Sequence, residues 1–158
     1  MKNKLFVLIL SLGLGISFPT FADSGLITVQ SPHSVQETVE KLKQVLDEKG
    51  MTLFAHVKHS QSANEVGVTL RPTELLIFGN PKVGSILMEC QQTTAIDLPQ
   101  KALVMQNSDD EVWVIYNDPT YIADRHHIEG KVAKCDATID KVSKALNAII
   151  TTAVKQAQ

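Results

Sequence analysis

The segment from Arg71 to Met88 constrains the fold of this chain more than any other part of it. Leu75 to Phe78 is a short continuous apolar run that is typical of a buried strand, although periodicity alone does not separate it from a buried helical piece. Asn80 then has the side chain of a helix N-cap, and Pro81 suits the first helical position, where no backbone N–H is needed. The sequence therefore predicts a strand that turns directly into a helix.

The start of this helix carries the strongest chemical signal in the sequence. Free backbone N–H groups, the positive end of the helix dipole and the ammonium group of Lys82 would meet at one place, which is how proteins build small-anion sites. We predict a pocket for a small anionic or polar ligand at Asn80-Pro81-Lys82. This prediction requires that the first amides of the helix remain unoccupied.

The first 22 residues have the pattern of a secretory signal peptide. Lys2 and Lys4 precede an apolar run from Leu5 to Ile16, and Thr20-Phe21-Ala22 is a cleavage signal of the small-x-small type. The apolar run is shorter than the ~20 residues that span a bilayer. We predict cleavage after Ala22 and a periplasmic or secreted mature protein without a membrane anchor.

Charge and motif content argue against several classes of function. Cleavage of the leader would leave 13 basic and 17 acidic residues, because the leader holds two of the 15 basic residues and none of the acidic ones. An acidic chain without a basic run is a poor candidate for binding nucleic acid, whose affinity depends on neutralising phosphates. No spacing of cysteines and histidines matches a recognised metal site, and Cys-x-x-Cys-His is absent. The sequence predicts neither nucleic-acid binding nor a metal site, and it leaves any cofactor unknown.

The order of predicted elements indicates an α+β domain. A β-branched strand at residues 26–29 precedes a helix that begins after Ser34 and ends at Gly50. Strands then follow at residues 51–59, 75–78, 101–105 and 112–116, with a helix from Pro81 to about residue 91 inserted among them. Residues 65–70 fit either a loop or a short strand. The order strand, helix, three to four strands, helix gives a largely antiparallel sheet with helices packed on it.

Two further helices are predicted after the last strand. Asp118-Pro119 repeats the cap-plus-proline device and opens a short helix. An amphipathic helix then has one apolar stripe, formed by Val132, Cys135, Ile139, Val142, Leu146, Ile149 and Ala153. We predict a single domain over residues 23–128 and a helical extension over residues 129–158 that packs on it.

Several short motifs together resemble a known family. They are Phe54-Ala55, Pro72-Thr73, Leu75-Leu-Ile-Phe-Gly-Asn-Pro-Lys82, Asp97-Leu-Pro99, Val112-Trp113, Tyr116-Asn-Asp-Pro119 and Arg125-His126. Over residues 26–128 this pattern is similar to the family called domain of unknown function 302. The resemblance implies a TATA-box-binding-protein-like α+β fold with the order strand, helix, four strands, helix. It implies no activity, because none is established for the family, and likeness of fold to a DNA-binding protein does not imply DNA binding.

The polar residues that fit the family pattern are the candidate site residues. They are His59, Lys82, Lys101, Tyr116, Asn117, Arg125 and His126. With Asn80 they would form a ligand pocket in which Lys82 and Arg125 bind charge and a histidine tunes protonation. The alternative is that Asn80 and Asp118 only cap helices and that Arg125 pairs with an acid such as Asp97. One departure from the family is Lys58 before His59, where an acidic residue is common.

Two other functional classes remain open. An enzyme acting on a small anion would use His59 as general acid or base beside Lys82, although no standard catalytic motif is present. A structural module would use an uncovered apolar sheet face to form a homodimer, since two-fold pairs are the commonest oligomers.

The two cysteines predict a disulfide. Cys90 follows Leu87 and Ile86 by one helical turn, and Cys135 lies in the apolar stripe of the last helix, so both should face inward. Inward-facing thiols in an oxidising compartment commonly pair. Free buried thiols are the alternative, because the sequence does not show that the Cα atoms approach within ~7 Å.

Overall fold

The computed structural model describes residues 24–128, 130 and 132–155, so the predicted signal peptide lies outside the described residues. Within these residues the chain forms five strands and five α-helices, with a short 3₁₀ helix at Gln92–Ile96 before the fourth strand. In chain order they are β1 (Leu26–Ser31), α1 (Val35–Glu48), β2 (Thr52–Lys58), α2 (His59–Glu65), β3 (Thr73–Gly79), α3 (Pro81–Cys90), β4 (Gln100–Gln106), β5 (Val112–Asn117), α4 (Pro119–Arg125) and α5 (Ala133–Ala153).

The strands form one sheet in the order β1-β5-β4-β3-β2, and every neighbouring pair is antiparallel. Four strands therefore follow α1, which resolves the predicted three to four and confirms the α+β class. In β4 and β5 alternate residues are buried and the residues between them only partly so. This alternation shows that the helices cover one face of the sheet.

Local sequence sets the ends of α1. The Ser34 hydroxyl accepts the N–H of Glu37 at 3.2 Å, which confirms the predicted N-cap. Gly50 has a φ of +63°, a conformation that favours glycine, and it ends the helix as predicted. The helix thus lies on the sheet with its apolar stripe inward.

The hydrophobic core lies between the covered face of the sheet and the helices α1 and α5. Its fully buried aliphatic and aromatic side chains include Leu42, Leu46, Leu76, Phe78, Val104, Val114, Leu146 and Ile150. The predicted stripe of the last helix is confirmed from Cys135 to Ala153. Val132 is the exception, because it precedes the first turn of α5 and its side chain is exposed.

The predicted disulfide is present. Cys90 and Cys135 are bonded with their Cα atoms 6.1 Å apart, and they join the end of α3 to the start of α5. Lys134 also donates to the Glu89 carboxylate at 2.9 Å, and this bond lowers the pKa of Glu89. The C-terminal helix is therefore fastened to α3 by a covalent bond with an exposed ion pair beside it.

The opposite face of the sheet is less well covered. Leu75 pairs with Leu103, which pairs with Ile115, and Met105 pairs with Trp113. These side chains are all partly exposed, as is that of Ile77. The face opposite the core is thus apolar along its three central strands.

Two segments differ from the simple pattern of the sequence. Residues 59–65 form α2 where only a polar stretch is evident, and residues 66–70 form a loop with Val66, Val68 and Leu70 exposed. In β2 the register shifts between Leu53 and Ala55, so Phe54 is a bulge residue. The bulge interrupts the alternation of side chains between the two faces of this strand.

Candidate ligand cavity

The turn from β3 into α3 has the predicted shape, but its amides are occupied. Asn80 caps the helix by accepting the N–H of Lys82 on its side-chain oxygen at 3.0 Å. The carbonyl oxygen of Asn80 accepts the N–H groups of Val83 and Gly84, both at 2.9 Å, and Pro81 has no N–H to offer. The prediction of free amides is therefore wrong, because the side-chain and main-chain oxygens of Asn80 accept their hydrogen bonds. The helix start offers no free backbone donors to an anion.

His59 and Lys82 do not lie together. In the β2–β3 pairing Thr52 is opposite Gly79, whereas Lys58 is opposite Glu74. Glu74 and Gly79 are five residues apart along β3, so the two ends of this pairing are separated by about 17 Å at the rise of a strand. His59 follows one end and Lys82 follows the other, so the expected catalytic pair is wrong.

Three predicted site residues converge on Asp97 instead. Arg125 donates to Asp97 Oδ1 at 3.1 Å, and His126 Nε2 lies 2.6 Å from Asp97 Oδ2. Lys101 Nζ donates to the carbonyl oxygens of Asp97 at 2.8 Å and Pro99 at 3.1 Å. We call this group, with Thr93, the Asp97 cluster.

Each side chain of the Asp97 cluster has at least one protein partner. His126 Nε2 faces the Asp97 carboxylate, and Nδ1 on the other side of the ring lies 2.9 Å from the Thr93 hydroxyl oxygen. The His126 side chain is only 7% exposed. The cluster therefore connects the loop before β4 to α4. The pairing of Arg125 with Asp97 is the alternative that the sequence analysis gave to ligand binding.

Tyr116 and Asn117 take no part in that cluster. Tyr116 is buried on the helix side of the sheet, where burial, and secondarily the charge of Asp118, raises the pKa of its hydroxyl. Asn117 is paired with Leu26 in the sheet. Asp118 caps α4 by accepting the N–H of Thr120 at 2.8 Å, which confirms its predicted role as a helix cap.

A cavity of about 670 Å³ opens beside the turn that was predicted to bind an anion. Its walls come from the end of α1, the bulge of β2, the β3–α3 turn, the residues leading into β4, and α5. They are lined by Lys49, Met51, Phe54, Gly79, Asn80, Pro81, Val83, Gly84, Ser85, Leu87, Met88, Leu98, Pro99, Gln100, Lys141, Val142, Ala145, Leu146, Ala148 and Ile149. Most of these side chains are apolar, so the cavity differs in chemistry from the predicted anion pocket.

Particular residues create the space and the entrance. A Cβ atom at Gly84 would find only Leu98 Cδ1, at 3.9 Å, so the missing side chain leaves room between α3 and the loop before β4. Leu87, Leu146 and Ile149 are buried at the inner end of the cavity. Phe54 is 52% exposed, so the cavity runs from solvent to the hydrophobic core.

Gln100 places one polar group inside this apolar wall. It is 7% exposed, and its side chain makes no hydrogen bond to any residue that the structure describes. Among the same residues, every fully buried side-chain nitrogen or oxygen has a partner. The amide of Gln100 is therefore reachable from the cavity and available to a bound molecule.

The described part of the chain holds neither a candidate metal site nor a candidate membrane-spanning helix. No three His, Cys, Asp or Glu side chains in residues 24–128, 130 and 132–155 are grouped so that they could hold a metal ion. In that same part of the chain, no helix has the length and apolar character needed to cross a bilayer.

The fold and the cavity define a class of protein: a five-stranded α+β domain with an apolar chamber between two disulfide-linked helices. The chain belongs to the family described as "Domain of unknown function DUF302", whose model matches residues 27–149. The family suggested by the sequence motifs is thus confirmed, and the match extends into α5, beyond residues 26–128.

The structural relative has the same fold. The crystal structure of an uncharacterized conserved DUF302 protein from Bacillus stearothermophilus superposes with a TM-score of 0.72 at 18% identity. The superposition covers 83% of this chain and 99% of that one.

Two curated relatives are longer proteins. The fluoride-specific ion channel FluC 1 of Brucella suis biovar 1 (strain 1330) is 45% identical over 106 residues, covering 67% of this chain and 42% of that protein. Its counterpart FluC 1 of Brucella abortus biovar 1 (strain 9-941) gives the same identity and length, with 39% of that protein covered. The chain therefore spans about two fifths of the length of these relatives.

Sequence reasoning missed the cavity, and two residues carried signals of it. Phe54 is a large aromatic residue at alternate spacing with Thr52, His56 and Lys58, and so on the otherwise polar side of the strand sequence. Gly84 interrupts a helix and costs up to ~1 kcal/mol relative to alanine, which calls for a compensating role. Gln100 and the α5 residues gave no comparable signal, because their meeting depends on how distant elements pack.

Proposed function

We propose that this chain is an exported binding protein that holds a small, largely apolar molecule in the cavity between α3, α5 and the adjoining sheet end. The apolar wall that runs from the exposed Phe54 to the buried Leu87 and Ile149 carries this proposal. A volume of about 670 Å³ falls within the ~300–1,000 Å³ of small-molecule sites. The buried Gln100 amide is also typical of such sites, where few polar groups orient the ligand.

Two features support export. The leader pattern at residues 1–22 supports secretion, and the Cys90–Cys135 disulfide suits an oxidising compartment. The relatives named fluoride channels do not alter the proposed ligand, because the amides beside Lys82 are occupied and the cavity wall is apolar. Sodium fluoride therefore serves as a control solute that should leave binding of an apolar probe unchanged.

Filling the cavity tests the proposal. Gly84→Phe would direct a ring towards Leu98 inside the cavity, so the fluorescent probe N-phenyl-1-naphthylamine should bind at least about tenfold more weakly, a change of about 1.4 kcal/mol. Fluorescence titration of the oxidised protein measures the dissociation constant. Ala145→Phe, which narrows the cavity from α5, is a second variant in case the first does not fold.

Gly84→Ala is the matched control. Its added methyl group would make only an ordinary contact with Leu98 Cδ1 at 3.9 Å, so the probe should still bind. The helix should become more stable by up to ~1 kcal/mol. Unchanged probe affinity in folded Gly84→Phe and Ala145→Phe would remove the cavity from consideration. Native mass spectrometry of protein from the exported fraction should also show a retained apolar molecule.

The partly exposed apolar face of the sheet favours a second, compatible role in homodimer formation. Leu103 lies in the middle of this face, with Leu75 and Ile115 on either side. We expect light scattering to show a concentration-dependent dimer, and Leu103→Glu to give a monomer because it places a charge in the apolar contact. Asn147→Glu, at an exposed position of α5 in the helix layer, should leave the dimer intact. A wild-type monomer at all concentrations would end this proposal.

A further inference from the structure

The charged residues around the cavity are all of one sign. Its lining contains Lys49 at the end of α1 and Lys141 on α5, and no aspartate or glutamate. Both lysines are exposed, so they stand where the cavity meets solvent. In a chain with 17 acidic and 15 basic residues, an apolar chamber rimmed only by cations has a definite electrostatic preference.

Neither rim lysine pairs with a carboxylate of the described residues. Asp140, beside Lys141 in sequence, is paired with Lys144. Glu48, beside Lys49, accepts from Gln44 at 2.9 Å. These two neighbouring acids therefore contact other groups, and the two ammonium groups remain available to a ligand.

We infer that the occupant is a single-chain amphiphile with an acidic head group, of the fatty-acid type. Its hydrocarbon tail would lie against Leu87, Leu146 and Ile149, where burial of apolar surface favours binding. Its carboxylate would lie at the mouth, within reach of Lys49 and Lys141. This inference rests on the proposed cavity function and adds the chemical class of the ligand.

The geometry also explains why the anion site is at the mouth and not at the helix start. The first amides of α3 are filled by Asn80, so an anion finds no backbone donors there. A carboxylate at the mouth keeps part of its hydration while meeting two cations, which avoids the large cost of burying an unpaired charge. Selection for an acid thus requires only the two lysines.

The test compares three probes of one chain length: dodecanoate, 1-dodecanol and dodecyltrimethylammonium, each below its micelle concentration. Displacement of N-phenyl-1-naphthylamine measures their affinities for the full oxidised protein. We expect dodecanoate to bind best and the cationic probe worst. Dodecanoate affinity should also fall as salt is raised, whereas dodecanol affinity should not.

Variants of the two lysines assign the effect. Lys49→Ala and Lys141→Ala should each weaken dodecanoate binding about fivefold, the size expected for a partly exposed ion pair, and leave dodecanol binding unchanged. Lys144→Ala is the matched control, since Lys144 lies on the same helix, is exposed and does not line the cavity. Lys49→Gln keeps much of the side-chain length, and it should weaken dodecanoate as Lys49→Ala does.

The outcomes separate the two proposals. Equal binding of dodecanoate and dodecanol, with no effect of either lysine variant, would overturn the acidic head group while the apolar cavity stands. Tighter binding of the cationic probe would overturn it as well. If none of the three probes displaces the fluorophore and the Gly84→Phe variant changes nothing, both the head group and the cavity function fail.

Discussion

Replacing Cys90 and Cys135 together by alanine is expected to lower the free energy of unfolding by about 3–4 kcal/mol. The disulfide closes a sequence separation of 45 residues, and breaking it restores the conformational freedom that this loop has in the unfolded chain. Alanine is preferred to serine because Cys135 is buried and a hydroxyl there would lack a partner. Urea unfolding of oxidised wild type, reduced wild type and the double variant measures the effect.

The denaturant dependence should report the mechanism. If the bond acts on the unfolded chain, removing it exposes more surface on unfolding and raises the m-value along with lowering the midpoint. Lys134→Ala is the control, because it removes only the exposed Glu89–Lys134 pair between the same helices and should leave the urea midpoint nearly unchanged. Equal stability of the oxidised protein and the double variant would contradict this prediction.

The same cross-link also bears on the cavity. Cys90 lies about one turn from Leu87, and Cys135 about two turns from Val142, and both of these neighbours line the chamber. The bond therefore fixes one end of the two helices that form the chamber walls. A cavity of this size next to the core reduces packing contacts and so lowers the stability of the fold. The covalent bond offsets part of that lost stability.

Local signals in the sequence were sufficient for the elements and for the cross-link. Ser34, Asn80 and Asp118 each mark a helix start because their side chains are the acceptors that the first N–H groups need, and each does so in the structure. The Cys90–Cys135 pair followed from two apolar helix faces and an expected oxidising compartment. The cap predictions concern a residue and its neighbours within about one helical turn, where few alternative structures compete.

The predicted ligand site was wrong because its donors and acceptors bind one another in the folded protein. Asn80 was correctly identified as a cap, but its side-chain and main-chain oxygens together fill the amides that the anion site required. Likewise Lys101, Arg125 and His126 do meet in space, but they meet on Asp97 and not on a ligand. A sequence identifies the donors and acceptors, whereas only the packed structure shows which of them are left over.

The cavity was not predictable for a different reason. Its walls combine residues from Lys49 to Ile149, and apolar periodicity assigns the helical ones among them, such as Val142, Leu146 and Ile149, to ordinary core positions. Whether a core is completely filled depends on the summed volumes of side chains from several elements, and the sequence does not show which of these side chains meet. The bulge at Phe54 and the glycine at position 84 create the opening, and their effect depends on the register of β2 against β3.

Asp97→Ala is expected to lower the free energy of unfolding by about 3 kcal/mol, the second largest effect predicted for this chain. The substitution leaves the 7%-exposed His126 ring without its 2.6 Å partner, and an unsatisfied buried donor costs its full desolvation. Loss of the Arg125 contact adds little, because that side chain is 52% exposed. Thermal and urea unfolding measure the change.

A double-mutant cycle distinguishes loss of the pair from loss of packing. In Asp97→Ala with His126→Phe, both partners become apolar, so the double variant should be more stable than the sum of the two single variants by about 1 kcal/mol or more. Arg125→Ala should remain within about 1 kcal/mol of wild type. Additive effects at Asp97 and His126 would show that the short contact contributes nothing of its own. The Asp97 carboxylate does not line the cavity. Probe binding to the folded Asp97→Ala variant, measured without denaturant, should therefore equal that of wild type.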